Sequence, residues 1–180
     1  MNAPLGVTPD LFSLFAQFPL VGDLPEHELV SADAMPEPFR TLLAHEHHMT
    51  ITVEAYHGDL VDVSVLDRHR DESSYARKIV LTLQKTGRVV LFGIIRINLD
   101  YCAPAVREAI LSEQTPLGRI LIEHNVMRRI EPTAYFKVEP NPEQLAWFGL
   151  DEPRAMYGRL GFIHCDEQPA VELLEVVVEK

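Results

Sequence analysis

The stretch that decides the fold is ESSYARKIVLTLQ, residues 72–84. Drawn as a β-strand, it places four residues on one face, namely Arg77, Ile79, Leu81 and Leu83. Because a guanidinium does not lose its charge, Arg77 needs an anion or a route to water on this apolar face. Two explanations remain open. Arg77 is either a binding site for a carboxylate, which the planar guanidinium matches through two oxygens, or part of a structural ion pair.

The composition indicates one globular domain. The chain has 180 residues, of which 47% are hydrophobic and 24% are charged. Its 27 acidic and 16 basic residues give a net charge of −11, which disfavours nucleic acid and anionic membranes as partners. Cys102 and Cys165 fit neither a metal-binding spacing nor a disulfide framework. We therefore expect a cytoplasmic protein without a metal, a signal peptide or a membrane span.

The periodicity predicts an N-terminal helical cover over residues 1–35 and one α+β domain over residues 36–180. Strands are predicted at 49–57, 60–66, 75–84, 88–99, within 120–138, at 157–165 and at 169–178, and the first two are expected to form a hairpin. Helices are predicted at 25–30, 36–44, 103–112 and around 143–148. Hairpin connections and segregated helices together predict a single antiparallel sheet of about six strands with helices packed on it.

Two segments have more than one interpretation. His45, His47 and His48 suggest a metal site, but they lack the separated helical pairs of a zinc site, so a polar loop before a strand is predicted. Residues 140–153 hold three prolines and the only tryptophan, Trp147. They form either a lid or a packed loop with one short helix.

The last predicted strand carries a carboxylate on an apolar face. Glu175 lies on the same side as Leu173 and Val177. A carboxylate in such a place suits proton transfer or a hydrogen bond to a ligand hydroxyl. The alternative is a plain ion pair with Arg77 or Arg129.

From about residue 42 to residue 178 these features resemble the chorismate pyruvate-lyase (4-hydroxybenzoate synthase) family. The landmarks are Leu42-Leu43, His48-Met49-Thr50, Ser74-Tyr75-Ala-Arg77, Thr115-Pro-Leu-Gly-Arg119, Arg129, Tyr157-Gly-Arg159 and a glutamate in the closing strand after Pro169. The resemblance implies a chorismate lyase-like fold with a closed internal site. It also implies an enzyme that eliminates pyruvate from chorismate, leaving 4-hydroxybenzoate, with no metal or organic cofactor.

The resemblance also assigns roles to individual residues. Arg77 would bind the ring carboxylate, assisted by the backbone N–H groups of Met49 and Leu117 at the segment that includes Gly118. Glu175 would face the para oxygen, where the ether is cleaved. Arg77 and Glu175 are thus the implied catalytic residues.

The sequence departs from the family at two places. In the family, the second arginine directly follows a small residue. Here the small residue is Gly93, and Arg96 comes two positions later than expected, a displacement of about 7 Å along a strand. Arg96 and Arg129 are therefore the remaining candidates for substrate binding, and Arg128 has no family equivalent. Placing Glu175 also requires one inserted residue after Pro169.

The sequence leaves three functional hypotheses. The first is a lyase acting on chorismate or a close analogue. The second is a non-catalytic binding domain for a small aromatic carboxylate, because effector-binding domains of some bacterial regulators look similar in fold. Those usually follow a DNA-binding helix-turn-helix, for which the first 40 or so residues here are too few and too acidic. The third is a thioester-handling enzyme that uses His124-Asn125. The expected partner is an aromatic or cyclohexadiene carboxylate.

Overall fold

The computed structural model describes residues 9–18 and 24–178. Within these ranges, seven strands form one sheet: β1 (Glu26–Val30), β2 (Val61–Arg70), β3 (Ser74–Leu83), β4 (Val89–Asn98), β5 (Arg128–Glu139), β6 (Met156–Cys165) and β7 (Gln168–Val178). All neighbouring strands are antiparallel, in the order β1-β5-β6-β7-β4-β3-β2. The predicted α+β class and single antiparallel sheet are confirmed.

Helices cover both faces of this sheet. The front face, defined as the face that carries the side chain of Arg77, packs against α2 (Phe39–Leu43), α3 (Met49–His57), α4 (Pro104–Leu111) and α5 (Leu117–Glu123). The back face packs against α1 (Leu11–Phe15) and α6 (Pro142–Trp147). Because both faces are covered, the central strands β3, β4, β6 and β7 are buried along nearly their whole length.

The prediction of a strand at 49–57 is wrong, because this segment is helix α3. Met49 and Val53, one helical turn apart, are buried, while Ile51 points away from the core and is 44% exposed. Gly58, whose φ is +65°, ends the helix in the left-handed conformation, and its N–H donates to the carbonyl of Glu54 at 2.8 Å. The apparent hairpin turn at Gly58-Asp59 is therefore a helix C-cap.

The prediction of a helix at 25–30 is also wrong, since Glu26–Val30 is the edge strand β1 and pairs with β5. Of the predicted cover over 1–35, residues 1–8 and 19–23 lie outside the described residues. The division at residue 35 stays a prediction. The segment 120–138, predicted to lead into a strand, begins as α5 and becomes β5 at Arg128.

Strand β7 contains one extra residue relative to its neighbour β6. Ile163 pairs with Val171 and His164 pairs with Pro169, so Ala170 is an additional residue in β7. A single inserted residue exchanges the faces of all residues beyond it. The bulge thus places Glu175, rather than Leu174, on the front face.

Residues 140–153 pack on the back face. The indole of Trp147 stacks on Phe92 with 3.8 Å between ring centroids and is 8% exposed. Asn141 caps α6 by accepting hydrogen bonds from the backbone N–H groups of Glu143 and Gln144. This segment is a packed loop with a short helix, on the face opposite the site described next.

Candidate functional site

A cavity lies on the front face, between the sheet and the N-terminal ends of α3 and α5. Its walls are mainly aliphatic side chains, from Val63, Ile79, Leu81, Leu91, Ile95, Ile163 and Leu173, together with the backbone of Leu174. The cavity volume is about 50 Å³. The cavity is therefore narrow, which favours small ligands.

Gly93, on β4, leaves space at the cavity floor. A Cβ atom at this position would lie 3.2 Å from the carbonyl oxygen of Leu174 and 3.4 Å from side-chain carbons of Ile79 and Leu91. Any larger side chain would extend into the space that these residues enclose.

Arg77 contributes a buried cation to the cavity wall. Its side chain is 1% exposed, and among the described residues no group accepts a hydrogen bond from its Nε or Nη1. Burial lowers the pKa of Arg77, while Tyr75 and Glu113 oppose that change. An arginine nevertheless keeps its proton in proteins, so the site holds a positive charge with two unsatisfied donors.

A hydrogen-bond network lies beside Arg77 and consists of Tyr75, Glu113 and Arg68. The hydroxyl of Tyr75 donates to Glu113 Oε1 at 2.5 Å, and Arg68 Nη1 donates to Glu113 Oε2 at 2.7 Å. Burial and the hydrogen bond to Glu113 raise the pKa of Tyr75 to about 12. Both oxygens of Glu113 are thus engaged, and this carboxylate does not pair directly with Arg77.

Glu175 lines the same cavity and is paired with Arg159 instead of Arg77 or Arg129. Arg159 Nε donates to Glu175 Oε2 at 2.6 Å from the neighbouring position on β6. The side chain of Arg159 is 1% exposed. Its other nitrogens donate to the backbone carbonyls of Leu43, His45 and His47, at 3.1, 2.8 and 3.2 Å. Arg159 therefore fixes both Glu175 and the loop that leads into α3.

The sheet register separates Arg77 from Glu175. Arg77 pairs with Ile95, and Glu175 pairs with Gly93, two residues along β4. Two strand spacings and two residues place their α-carbons about 12 Å apart. Because Arg159 holds Glu175 from the side away from β3, the two charged groups remain separate members of one cavity wall.

Two helix N-termini complete the wall, with Met49 and Thr50 from α3 and Leu117 and Gly118 from α5. Neither helix has a side-chain cap at its start. The first backbone N–H groups of a helix have no intrahelical acceptor, and the helix dipole makes this end attractive to anions.

The structure places Arg96 and Arg129 outside the cavity. Arg96 pairs with Ala76 and lies on the back face, where it forms an ion pair with Glu172. Arg129 is 60% exposed on its side chain and pairs with Glu131 at 2.8 Å. Of the sequence-predicted site residues, Arg77, Glu175, Met49, Leu117 and Gly118 line one cavity, and these two do not.

Of the three neighbouring histidines, His45 and His47 stack with 5.6 Å between ring centroids, and His48 contacts Arg128. The His45 ring contacts the carbonyl of Leu42 at 2.6 Å, whereas His48 Nε2 accepts a hydrogen bond from Arg128 Nε at 2.7 Å. Burial and nearby arginines lower the pKa of His45 and of His48 to about 4. No group of three metal-binding side chains occurs within residues 9–18 and 24–178.

Sequence reasoning missed the roles of Arg159 and His48. The signal for Arg159 was the same as for Arg77 and Glu175, namely a charged residue on an otherwise apolar strand face, here shared with Tyr157 and Ile163. His48 carried no such signal, because its position depends on α3, which the sequence predicted as a strand.

In the described part of the chain, no helix is both long and apolar enough to cross a membrane. No protein-family model and no curated protein matches the chain.

Solved structures do match the fold. The effector domain of PhnF from Mycobacterium smegmatis has a TM-score of 0.55 and 15% identity, covering 74% of this chain and 88% of that domain. A second PhnF structure from the same organism has a TM-score of 0.54 and 15% identity, covering 73% of this chain. This chain spans 63% of that PhnF structure, under two thirds of its length. The ligand-binding domain of a protein described as a GntR-family transcriptional regulator from Bordetella bronchiseptica matches with a TM-score of 0.49 and 12% identity, over 65% of this chain and 85% of that one.

These comparisons support the fold and correct the predicted activity. The resemblance to chorismate pyruvate-lyase holds for the fold, a single antiparallel sheet of the chorismate lyase type. The prediction of a lyase enzyme is contradicted by these neighbours, because the matches with TM-scores of 0.54 and 0.55 are a PhnF structure and the effector domain of PhnF, neither described as an enzyme.

Proposed function

We propose that this chain is a small-molecule binding domain that holds an organic carboxylate in the cavity without transforming it. The observation that carries the proposal is Arg77, a buried cation with two unsatisfied donors at the cavity wall. A buried unpaired donor is costly, so its presence beside empty space indicates a group that is supplied by a ligand. The likeness to the effector domain of PhnF supports a role in binding.

The cavity favours an anion with an apolar body. The free N–H groups of Arg77 can each donate to a carboxylate oxygen, and such charge-assisted hydrogen bonds are about twice as strong as neutral ones. The first-turn N–H groups of Met49 and Leu117 add donors at helix N-termini. The aliphatic walls would contact a ring once their side chains move apart, because the cavity of about 50 Å³ is smaller than a ring requires. Aromatic or cyclohexadiene carboxylates are therefore the proposed ligand class.

Glu175 supplies the acceptor in this otherwise donor-rich cavity. It uses Oε2 for Arg159, so Oε1 remains to accept from a ligand hydroxyl. A ligand with a carboxylate near Arg77 and a hydroxyl across the ring would satisfy both ends.

The expected experiment is titration calorimetry with 4-hydroxybenzoate and, as its neutral counterpart, 4-hydroxybenzyl alcohol. The acid should bind and the alcohol should bind at least tenfold more weakly, because only the acid gives Arg77 an anionic partner. Arg77→Lys should weaken binding of the acid by a similar factor, since an ammonium does not reproduce the planar fork. Arg129→Lys is the matched control, because Arg129 is exposed and lies outside the cavity. Equal binding by Arg77→Lys, or equal affinity for the alcohol, contradicts the proposal.

The proposed role places no nucleic-acid contact on this chain. Its net charge of −11 opposes a DNA-binding surface. If the domain acts within a regulator, as its likeness to the PhnF effector domain suggests, DNA binding would be the task of another segment.

A further inference from the structure

His48 lies where the cavity meets a surface groove. Its side chain is 8% exposed and lines the cavity next to Met49. It also lines a groove on the surface together with Ile122 and Arg128. One ring of His48 therefore contacts both an exposed arginine and the interior site.

The contact with Arg128 determines which ring nitrogen carries the proton. Arg128 Nε donates to His48 Nε2 at 2.7 Å, and an arginine only donates. Nε2 must therefore be unprotonated, and a neutral imidazole then carries its single proton on Nδ1. Burial, Arg128 and Arg159 lower the pKa of His48 to about 4, so the ring is neutral near pH 7.

The Nδ1 edge of the ring lies beside Gly118. A Cβ atom at Gly118 would be 3.2 Å from His48 Nδ1 and 3.0 Å from His48 Cβ. Gly118 itself lines the cavity at the start of α5. The missing side chain at 118 thus allows the His48 ring to pack closely against the start of α5 at the cavity wall, and any larger residue at 118 would displace the ring.

We propose that His48 is a specificity-determining residue of the cavity, whose Nδ1–H donates to an oxygen of the bound carboxylate ligand while Arg128 fixes the position of the proton. This inference rests on the proposed function. It narrows the ligand class to compounds that present unprotonated oxygens on the side of the helix N-termini. Amines and protonated groups would meet mainly donors there, from Arg77, Met49 and His48.

The first test measures the affinity for 4-hydroxybenzoate of the wild type, His48→Ala, His48→Asn and Arg128→Met. His48→Ala should weaken binding about tenfold, the effect of losing one hydrogen bond to a charged group. His48→Asn should retain affinity within a few-fold of wild type, because its amide nitrogen occupies a position close to Nδ1. Arg128→Met, on an exposed side chain, should weaken binding less than His48→Ala.

The second test needs no ligand. Ring ¹⁵N chemical shifts of His48 should show a protonated Nδ1 and an unprotonated Nε2 in the wild type, and Arg128→Met should increase the fraction of the Nε2–H form. A protonated Nε2 in the wild type overturns the inference. Equal affinity of wild type and His48→Ala also overturns it, while leaving the proposed function intact. If the wild type binds no carboxylate, both the proposed function and the inference fail.

Discussion

Replacing Arg77 with methionine should stabilise the free protein, whereas the same change at Arg159 should destabilise it. The two arginines form a matched pair, since each side chain is 1% exposed and both lie on the front face of the sheet. Their partners differ. Arg159 donates to Glu175 and to three backbone carbonyls, whereas Nε and Nη1 of Arg77 have no acceptor among the described residues.

The expected magnitudes follow from these partners. Each buried unsatisfied donor costs about 1–3 kcal/mol, so Arg77→Met should remove about 2–6 kcal/mol of penalty. Losing the attraction of Arg77 to Tyr75 and Glu113 offsets part of this gain, leaving a net stabilisation of about 2 kcal/mol. Arg159→Met leaves the partly buried Glu175 without its partner and three backbone carbonyls without a donor, which should cost about 3 kcal/mol.

Urea denaturation followed by the fluorescence of Trp147 measures both changes. Trp147 is the only tryptophan and is buried on the back face, so it reports global unfolding away from the cavity. A stabilisation of 2 kcal/mol corresponds to a rise in melting temperature of about 4–8 °C for a chain of this size. Adding 4-hydroxybenzoate at a hundred times its Kd should stabilise the wild type by about 2.7 kcal/mol and leave Arg77→Met unchanged. If Arg77→Met is as destabilising as Arg159→Met, Arg77 is structural and the reasoning is refuted.

Two further predictions concern the cavity and the buried histidines. Gly93→Val should abolish binding of 4-hydroxybenzoate with only modest destabilisation, because the valine methyl groups would occupy the cavity. Gly93→Ala adds only a Cβ, which would lie 3.2 Å from the Leu174 carbonyl oxygen. It should therefore show a smaller loss of affinity in the same calorimetric titration. Stability should fall as the pH is lowered from about 6.5 towards 4. His45 and His48 each have a pKa of about 4 in the folded state, so over this range they take up protons only when the chain unfolds. The loss of stability between pH 7 and pH 5 should be on the order of 1–2 kcal/mol for each histidine, measured by urea denaturation. If the double variant His45→Gln/His48→Gln shows the same pH dependence as the wild type, these two histidines are not the cause.

The strand that carries Arg77 could be predicted, because large aliphatic residues stand at every second position after Arg77. This spacing puts them on the same face as Arg77, and the cavity lies on that face. Glu175 required more than periodicity, since the bulge at Ala170 determines which face it occupies. A bulge depends on pairing with β6, which local sequence does not reveal.

Helix α3 could not be predicted from local preference. Ile51, Val53 and Ala55 alternate as in a strand, but burial of Met49 and Val53 against α2 and the sheet selects the helix. Intrinsic propensity is weak compared with such packing. Because α3 was misassigned, the position of His48 at its N-terminus, and its contact with Arg128, also remained hidden.

The most direct test of the central claim is a crystal structure of the protein with 4-hydroxybenzoate. We expect the ligand in the front-face cavity, with a carboxylate oxygen about 2.7–2.9 Å from Nε or Nη1 of Arg77 and its hydroxyl towards Glu175. A ligand bound only at the surface, or a cavity whose Arg77 donors remain without an anion at saturating ligand, would contradict the account.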